Sequence, residues 1–188
     1  MDYLKVRLVA CGYSQVPGVD FSESYAPVIN DVSWRILIIV MLVWKLDAKI
    51  IDVSTAFLYG DLEEDIYMKC SEVHEEDEAL HLIHLIYGLV QAARQYYLKF
   101  MEKLKKLGFK GGYPDPCLIV REDEDGICFI AIWVDDSLLV GHTKAIEKMI
   151  SELQKEGFEL KLDGSLEDYL SCEITFDKQK NVGWIHQP

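Results

Sequence analysis

The feature that most constrains this chain lies between Ile130 and Val140. There Ile130-Ala131-Ile132-Trp133-Val134 runs into Asp135-Asp136 and continues as Ser137-Leu138-Leu139-Val140. Two adjacent acids thus interrupt an otherwise apolar stretch. Burying a carboxylate is costly, and placing a like charge beside it adds to the cost. The stretch therefore predicts two buried strands joined by a tight turn that carries both acids at its exposed tip. A plain turn is one reading, although Asp-Gly or Asn-Gly would serve a turn alone equally well.

A second acid of the same kind is Asp52, which ends the apolar Ile50-Ile51 strand and precedes Val53. The separation from Asp52 to Asp135 leaves ample chain for the two strands to become neighbours. Three acids gathered on neighbouring strands make better chemical sense around a divalent cation. Magnesium prefers hard oxygen ligands and keeps waters and phosphates in its shell. Two such ions about 4 Å apart can activate a hydroxyl nucleophile and stabilise a departing pyrophosphate in an in-line displacement.

With 188 residues, half of them apolar, the chain can form one sizeable core or two small coupled lobes. Its net charge of −13 runs against nucleic-acid binding, which usually draws on a basic surface. Cysteines at 11, 70, 117, 128 and 172 have no zinc-knuckle spacing and read as buried free thiols in a reducing compartment. Asp2, Lys5 and Arg7 break up any secretory leader. The longest apolar run, Ile36 to Trp44, falls well short of the ~20 residues that cross a bilayer. It reads as a buried core helix, and no membrane partner is expected.

Periodicity supplies the elements. Residues 4–12 alternate like a strand, and residues 13–30 read as loop. Asp31 or Ser33 would cap a helix running to about Leu46. The acidic residues of 71–80 (Glu72, Glu75, Glu76, Asp77, Glu78) read as a solvated loop. A helix is predicted over Ala93–Leu107, ended by Gly108. Strands at 117–121 and 127–134 form a hairpin around 122–126. Ser137–Gly141 is a further strand, followed by a helix with Ile146, Met149, Ile150 and Leu153 on one face. A last hairpin joins 169–176 to 182–186. The order predicts an α+β fold, an antiparallel sheet with helices on one face.

Eight ordered stretches resemble the reverse transcriptase of copia-type LTR retrotransposons over nearly the whole chain: KVRLVACGYSQ from Lys5, PGVDFSESYAP from Pro17, DVSTAFLYGDL from Asp52, EDIYM from Glu64, YGLVQAARQYY from Tyr87, LGFK from Leu107, DPCLIVR from Asp115 and WVDDSLLVG from Trp133. The resemblance implies a right-hand polymerase palm, ferredoxin-like, plus partial fingers. Residues 1–50 would be partial fingers with the first palm helix. Residues 51–188 would be palm, with an inserted fingers-like segment at about 60–90. The implied activity is RNA-directed DNA synthesis, adding deoxynucleoside triphosphates to a primer on an RNA or DNA template.

The resemblance also implies roles. Asp52, Asp135 and Asp136 would hold magnesium, or manganese in its place, with the Val53 carbonyl as a further ligand. Phe57 is similar to the aromatic gate that excludes a ribose 2′-hydroxyl, though plain core packing is its other reading. The amides of Thr55 and Ala56 would face the triphosphate. Gln91 would pack against the nascent base pair, or else be a surface glutamine at a helix start. Lys5 and Arg7 would neutralise triphosphate charge, or else be ordinary exposed strand cations. Trp133, with Val134 beside it, stands where the family usually has tyrosine next to the primer terminus.

The chain departs from the family at several positions, and several of these departures remove positive charge. Cys11 replaces an arginine, Ser54 and Val90 replace lysines, Ala93 replaces a proline and Cys172 replaces a glycine. The family also carries further fingers strands, a thumb and a ribonuclease H domain, which this chain is expected to lack and which a protein partner could supply. An alternative reading is a truncated or domesticated copy that keeps the fold in a non-catalytic binding or structural role. The expected location is intracellular, in the cytoplasm (a virus-like particle) or the nucleus.

Overall fold

The computed structural model describes residues 7–69, 79–112, 114–163, 166, 169–170, 172–177 and 182–187. In chain order the elements are α1 (Asp31–Trp44), β1 (Asp47–Val53), β2 (Tyr67–Lys69), β3 (Ala79–His81), α2 (Ala92–Lys106), β4 (Lys110–Gly111), β5 (Leu118–Asp123), β6 (Gly126–Trp133), β7 (Asp136–Gly141), α3 (Thr143–Lys155), β8 (Leu160–Asp163), β9 (Glu173–Asp177) and β10 (Val182–His186). The chain divides into two compact units, one of Met1–Ala26 with Thr55–Glu102, the other of Pro27–Ser54 with Lys103–Pro188.

The second unit is built on a six-stranded sheet in the order β4-β5-β6-β7-β1-β8, with every neighbouring pair antiparallel. The β5–β6 hairpin turns through Glu124-Asp125, with Gly126 at φ +110, a conformation that suits glycine. The Asp125 N–H donates to the Asp123 carboxylate at 2.9 Å and closes the turn. In β7, Ser137 to Gly141 are buried without a break, so both faces of that strand are covered. Ile51, Val53, Ile130, Leu138, Leu139 and Val140 form the centre of this core.

The expectation of helices on one face does not hold. On β6, Phe129 packs against Trp44 at the end of α1, with ring centroids 6.2 Å apart. Cys128 points to the opposite face and is paired with Arg121, whose Nη1 donates to Glu152 of α3 at 2.5 Å. Helices α1 and α3 therefore cover opposite faces. The reason lies in β6 and β7, which are apolar on both sides and need a cover on each.

Helix α1 also departs from expectation. Its cap is Asn30, whose side chain accepts from the Val32 N–H at 2.9 Å. Asp31 instead accepts from Trp34 Nε1 and Arg35 Nε, each at 3.0 Å. Lys45 ends the helix in the left-handed region at φ 54. The run from Ile36 to Trp44 is not buried all round: Trp34, Leu37, Ile38 and Met41 face the core, while Val32, Ile36, Ile39 and Val43 remain exposed. A helix lying on one sheet face can bury only one stripe.

In the first unit, the predicted strand over 4–12 is not seen in its described part. Val9 makes a single bridge to Tyr87, Ala10 N donates to Tyr87 O at 2.8 Å, and the chain then enters a 3-10 turn at Gly12–Ser14. A side chain at Gly12 would strike the Gly88 carbonyl, which keeps this passage narrow. The core is Ile66, Leu85, Leu89 and Ala92, with Phe57, Leu62 and Ile86 packed around it. Most of the acidic stretch 71–80 lies outside the described residues.

The remaining predicted elements are present with small shifts. α2 begins at Ala92 and ends before Gly108, which has φ +88. Helix α3 buries Ile146, Met149, Ile150 and Leu153 as its period required. The last hairpin is β9 on β10, in register from Glu173↔His186 to Asp177↔Val182. Strand β8, unmarked in the sequence reading, completes the sheet beside β1. Cys117, Cys128 and Cys172 are buried free thiols, but Cys11 is exposed. Cys70 lies outside the described residues. Among the described residues no helix is long and apolar enough to cross a membrane.

Candidate active site

The acids singled out in the sequence meet at one end of the second unit's sheet. Asp52 is the register partner of Asp136 across β1 and β7. Residues directly opposite in an antiparallel pair share a face, with Cβ atoms about 5 Å apart. The neighbouring pairs extend the row. Trp133 of β6 is opposite Asp136, and Lys161 of β8 is opposite Asp52. Four adjacent strands therefore present Trp133, Asp136, Asp52 and Lys161 side by side on one face. It is the face that Phe129 shares and that α1 covers further along the strands.

Asp135 lies in the two-residue turn between β6 and β7. Its backbone carbonyl accepts from the Val53 N–H at 3.1 Å, which ties the turn to the end of β1. In an antiparallel ladder a residue's N–H and C=O point the same way, so the Val53 carbonyl is directed towards the turn. On the other side, Ser54 N donates to Glu159 O at 2.8 Å. The turn is strained: Val134 has φ +52, a region that a β-branched residue rarely adopts.

The three aspartates are half-buried and remain accessible to a ligand. Lys161 Nζ lies 3.3 Å from Asp52 Oδ2. Asp136 also reaches Tyr169: burial first, and then the Asp136 charge, push the Tyr169 phenol above its usual range. That phenol donates to the Ala131 carbonyl at 3.5 Å. Beside Trp133, a cavity of about 410 Å³ opens between Asp31, Trp34, Arg35 and Leu170.

Among the described residues no group of three or more His, Cys, Asp or Glu side chains is placed so that it could hold a metal ion. The donor types present are those that suit a hard divalent cation. Asp52 and Asp136 share one face at paired positions, and Asp135 lies on the adjoining turn. All offer oxygens, as magnesium prefers.

The other expected residues belong to the first unit. Lys5 lies outside the described residues. Arg7 is exposed, with its guanidinium 5.0 Å from the centre of the Tyr87 ring. Thr55 is exposed and left-handed at φ 55, at the start of the 3-10 turn Ala56–Tyr59. Ala56 is fully buried. Phe57 packs against Tyr87 and Tyr96, at 4.6 and 6.3 Å between ring centroids. Gln91 is no surface residue: it is fully buried. Its Oε1 accepts from Gln15 at 3.1 Å, and its Nε2 donates to Asp20 O and Glu64 Oε2 at 3.0 and 3.2 Å.

Lys161 was missed by sequence reasoning. The segment 158–163 alternates apolar and charged residues, a weak strand signal that would have located it.

The family model "Reverse transcriptase (RNA-dependent DNA polymerase)" matches residues 2–184. The chain is similar to a retrovirus-related Pol polyprotein from transposon TNT 1-94 of Nicotiana tabacum, at 35% identity over 97% of this chain and 14% of the relative. It is also similar to the retrovirus-related Pol polyproteins from transposons RE2 and RE1 of Arabidopsis thaliana, each at 32% identity over 90% of this chain and 12% of the relative. The chain thus spans about a seventh or less of the length of these relatives. No solved structure matches it significantly. On the match along nearly all its length, the chain belongs to the reverse transcriptase (RNA-dependent DNA polymerase) family, among the copia-type transposon members.

Proposed function

We propose that this chain carries the palm-type catalytic core of an RNA-directed DNA polymerase, which extends a primer on an RNA or DNA template with deoxynucleoside triphosphates. The observation that supports it best is the cross-strand pairing of Asp52 with Asp136, with Asp135 on the adjoining turn, in a chain of this family. Asp52, Asp135, Asp136 and the Val53 carbonyl would hold magnesium, or manganese in its place. When bound, the metal supplies positive charge for the primer hydroxyl and the phosphates in an in-line transfer.

The protein's own work is positioning. The Val53–Asp135 hydrogen bond holds the turn against β1, so the carboxylates keep one relative geometry. Trp133 offers an aromatic surface, 37% exposed, on which a primer terminus can rest. In this reading Phe57 is the gate against a 2′-hydroxyl, held firm by its aromatic neighbours. The amides of Thr55 and Ala56 take the triphosphate, with Lys5 and Arg7 as supporting charges. Gln91 acts indirectly, bracing the segment that meets the nascent pair, since its polar atoms are already engaged.

Primer extension on a homopolymer template, with magnesium or manganese, tests this. Incorporation by the chain that disappears in Asp135→Asn supports the assignment. No incorporation together with no binding to primer-template at low salt overturns it and favours a non-catalytic copy.

A further inference from the structure

Lys161 brings a positive charge to the row of side chains that holds the acids. Asp52 and Asp136 are like charges in directly opposed positions, an arrangement that costs stability unless a cation compensates. The next strand places a lysine at the same level, opposite Asp52 and on the same face. Among the described residues its ammonium pairs with Asp52 Oδ2 alone, at 3.3 Å, and the side chain is 60% exposed. The contrast with Lys148 is informative. That ammonium is clamped between Asp123 and Asp125 at 3.1 and 2.7 Å and is only 34% exposed. Lys148 is built to stay, whereas Lys161 is held by one long contact on a flexible stem that can swing into water.

We propose that Lys161 is a built-in counter-cation: its ammonium neutralises the Asp52–Asp136 pair while the site is free of metal, and an arriving divalent cation displaces it. The proposal rests on the reading of these acids as metal ligands. A compact ammonium lends the pair one positive charge without satisfying the several oxygens a divalent ion engages. The sheet can thus keep two opposed carboxylates in register before any metal arrives. The consequence is a metal affinity set below what the acids alone would give, because each binding event must first release the lysine. Lys161 is in this sense a positioning residue, acting on the reaction only through Asp52.

The test is titration of the full chain with Mn²⁺ alone, followed by calorimetry, for wild type, Lys161→Met, Lys161→Arg and Asp136→Asn. Melting temperatures with a chelator and with Mn²⁺ are recorded in parallel. Lys161→Met is expected to bind Mn²⁺ about three- to tenfold more tightly. It should also melt lower than wild type with chelator and regain the wild-type value with Mn²⁺. Lys161→Arg, which keeps the charge, should remain close to wild type in both measurements. Unchanged or weaker Mn²⁺ affinity in Lys161→Met, with wild-type binding abolished by Asp136→Asn, overturns the counter-cation and leaves the metal site standing. Absence of saturable Mn²⁺ binding in wild type and Lys161→Met alike overturns the metal-site reading and this proposal with it.

Discussion

Asp52 and Asp136 face each other as register partners on β1 and β7, two carboxylates held opposite by the same ladder that forms the core of the sheet. Like charges in directly opposed positions cost stability unless something compensates them. Replacing either acid by asparagine should therefore separate stability from activity. Asp136→Asn is expected to leave the metal-free protein as stable as wild type, or more stable by up to about 1 kcal/mol. Primer extension by the same variant should fall by a factor of about a hundred or more. Urea unfolding with chelator and incorporation assays check the two halves.

The turn between β6 and β7 stores strain at Val134, at φ +52. A left-handed conformation costs an ordinary L-residue roughly 1–2 kcal/mol, and asparagine is the side chain that best tolerates it. Val134→Asn should raise the stability to urea by about 1 kcal/mol. An unchanged or lowered unfolding midpoint would show that the valine side chain gains more from packing than the backbone loses.

Among the described residues of the second unit Arg121 is the most enclosed cation, with its side chain only 8% exposed. It donates to Glu152 at 2.5 Å and to Leu107 O at 3.0 Å, and it stacks over Phe109 at 4.7 Å. Removing one member of a buried pair leaves the other charge uncompensated. Arg121→Ala should cost about 3 kcal/mol or more, read from chemical denaturation. Because the pair is shielded, moderate salt should change that figure little.

Cys128 lies in the core beneath α3, and burial, the dominant cause, pushes its thiol from the ordinary 9.0 up to about 12. The folded state thus favours the neutral thiol over the thiolate. Its contribution to stability is complete below pH 9.0 and is lost progressively as the pH climbs towards about 12. Unfolding measured from neutral to strongly alkaline pH should show this decline, and Cys128→Ala should weaken it. At pH 8, alkylation followed by mass spectrometry should modify the exposed Cys11 and leave Cys117, Cys128 and Cys172 untouched.

Much of the local structure was legible because its causes are local. The turn at Val134-Asp135, with Asp136 opening β7, announces itself through the apolar strands on either side. Helix α3 follows from the spacing of Ile146, Met149, Ile150 and Leu153. The α2 stop follows from Gly108. Asn30 was missed as the α1 cap because Asp31 and Ser33 are equally good capping residues, and only the backbone conformation at residue 30 separates them.

The sequence by itself determined the pattern of strands and helices, the family, and which acids break an apolar run where burial would be expensive. Only the tertiary structure decided that Asp52 stands opposite Asp136, that Lys161 pairs with Asp52 across 109 residues of chain, and that Gln91 is enclosed by Gln15, Asp20 and Glu64. It also decided that α1 and α3 take opposite faces of the sheet. Period and propensity report a residue's preference for its own neighbourhood, whereas strand register and face are chosen by partners far away in the chain, through the burial that pairing makes possible.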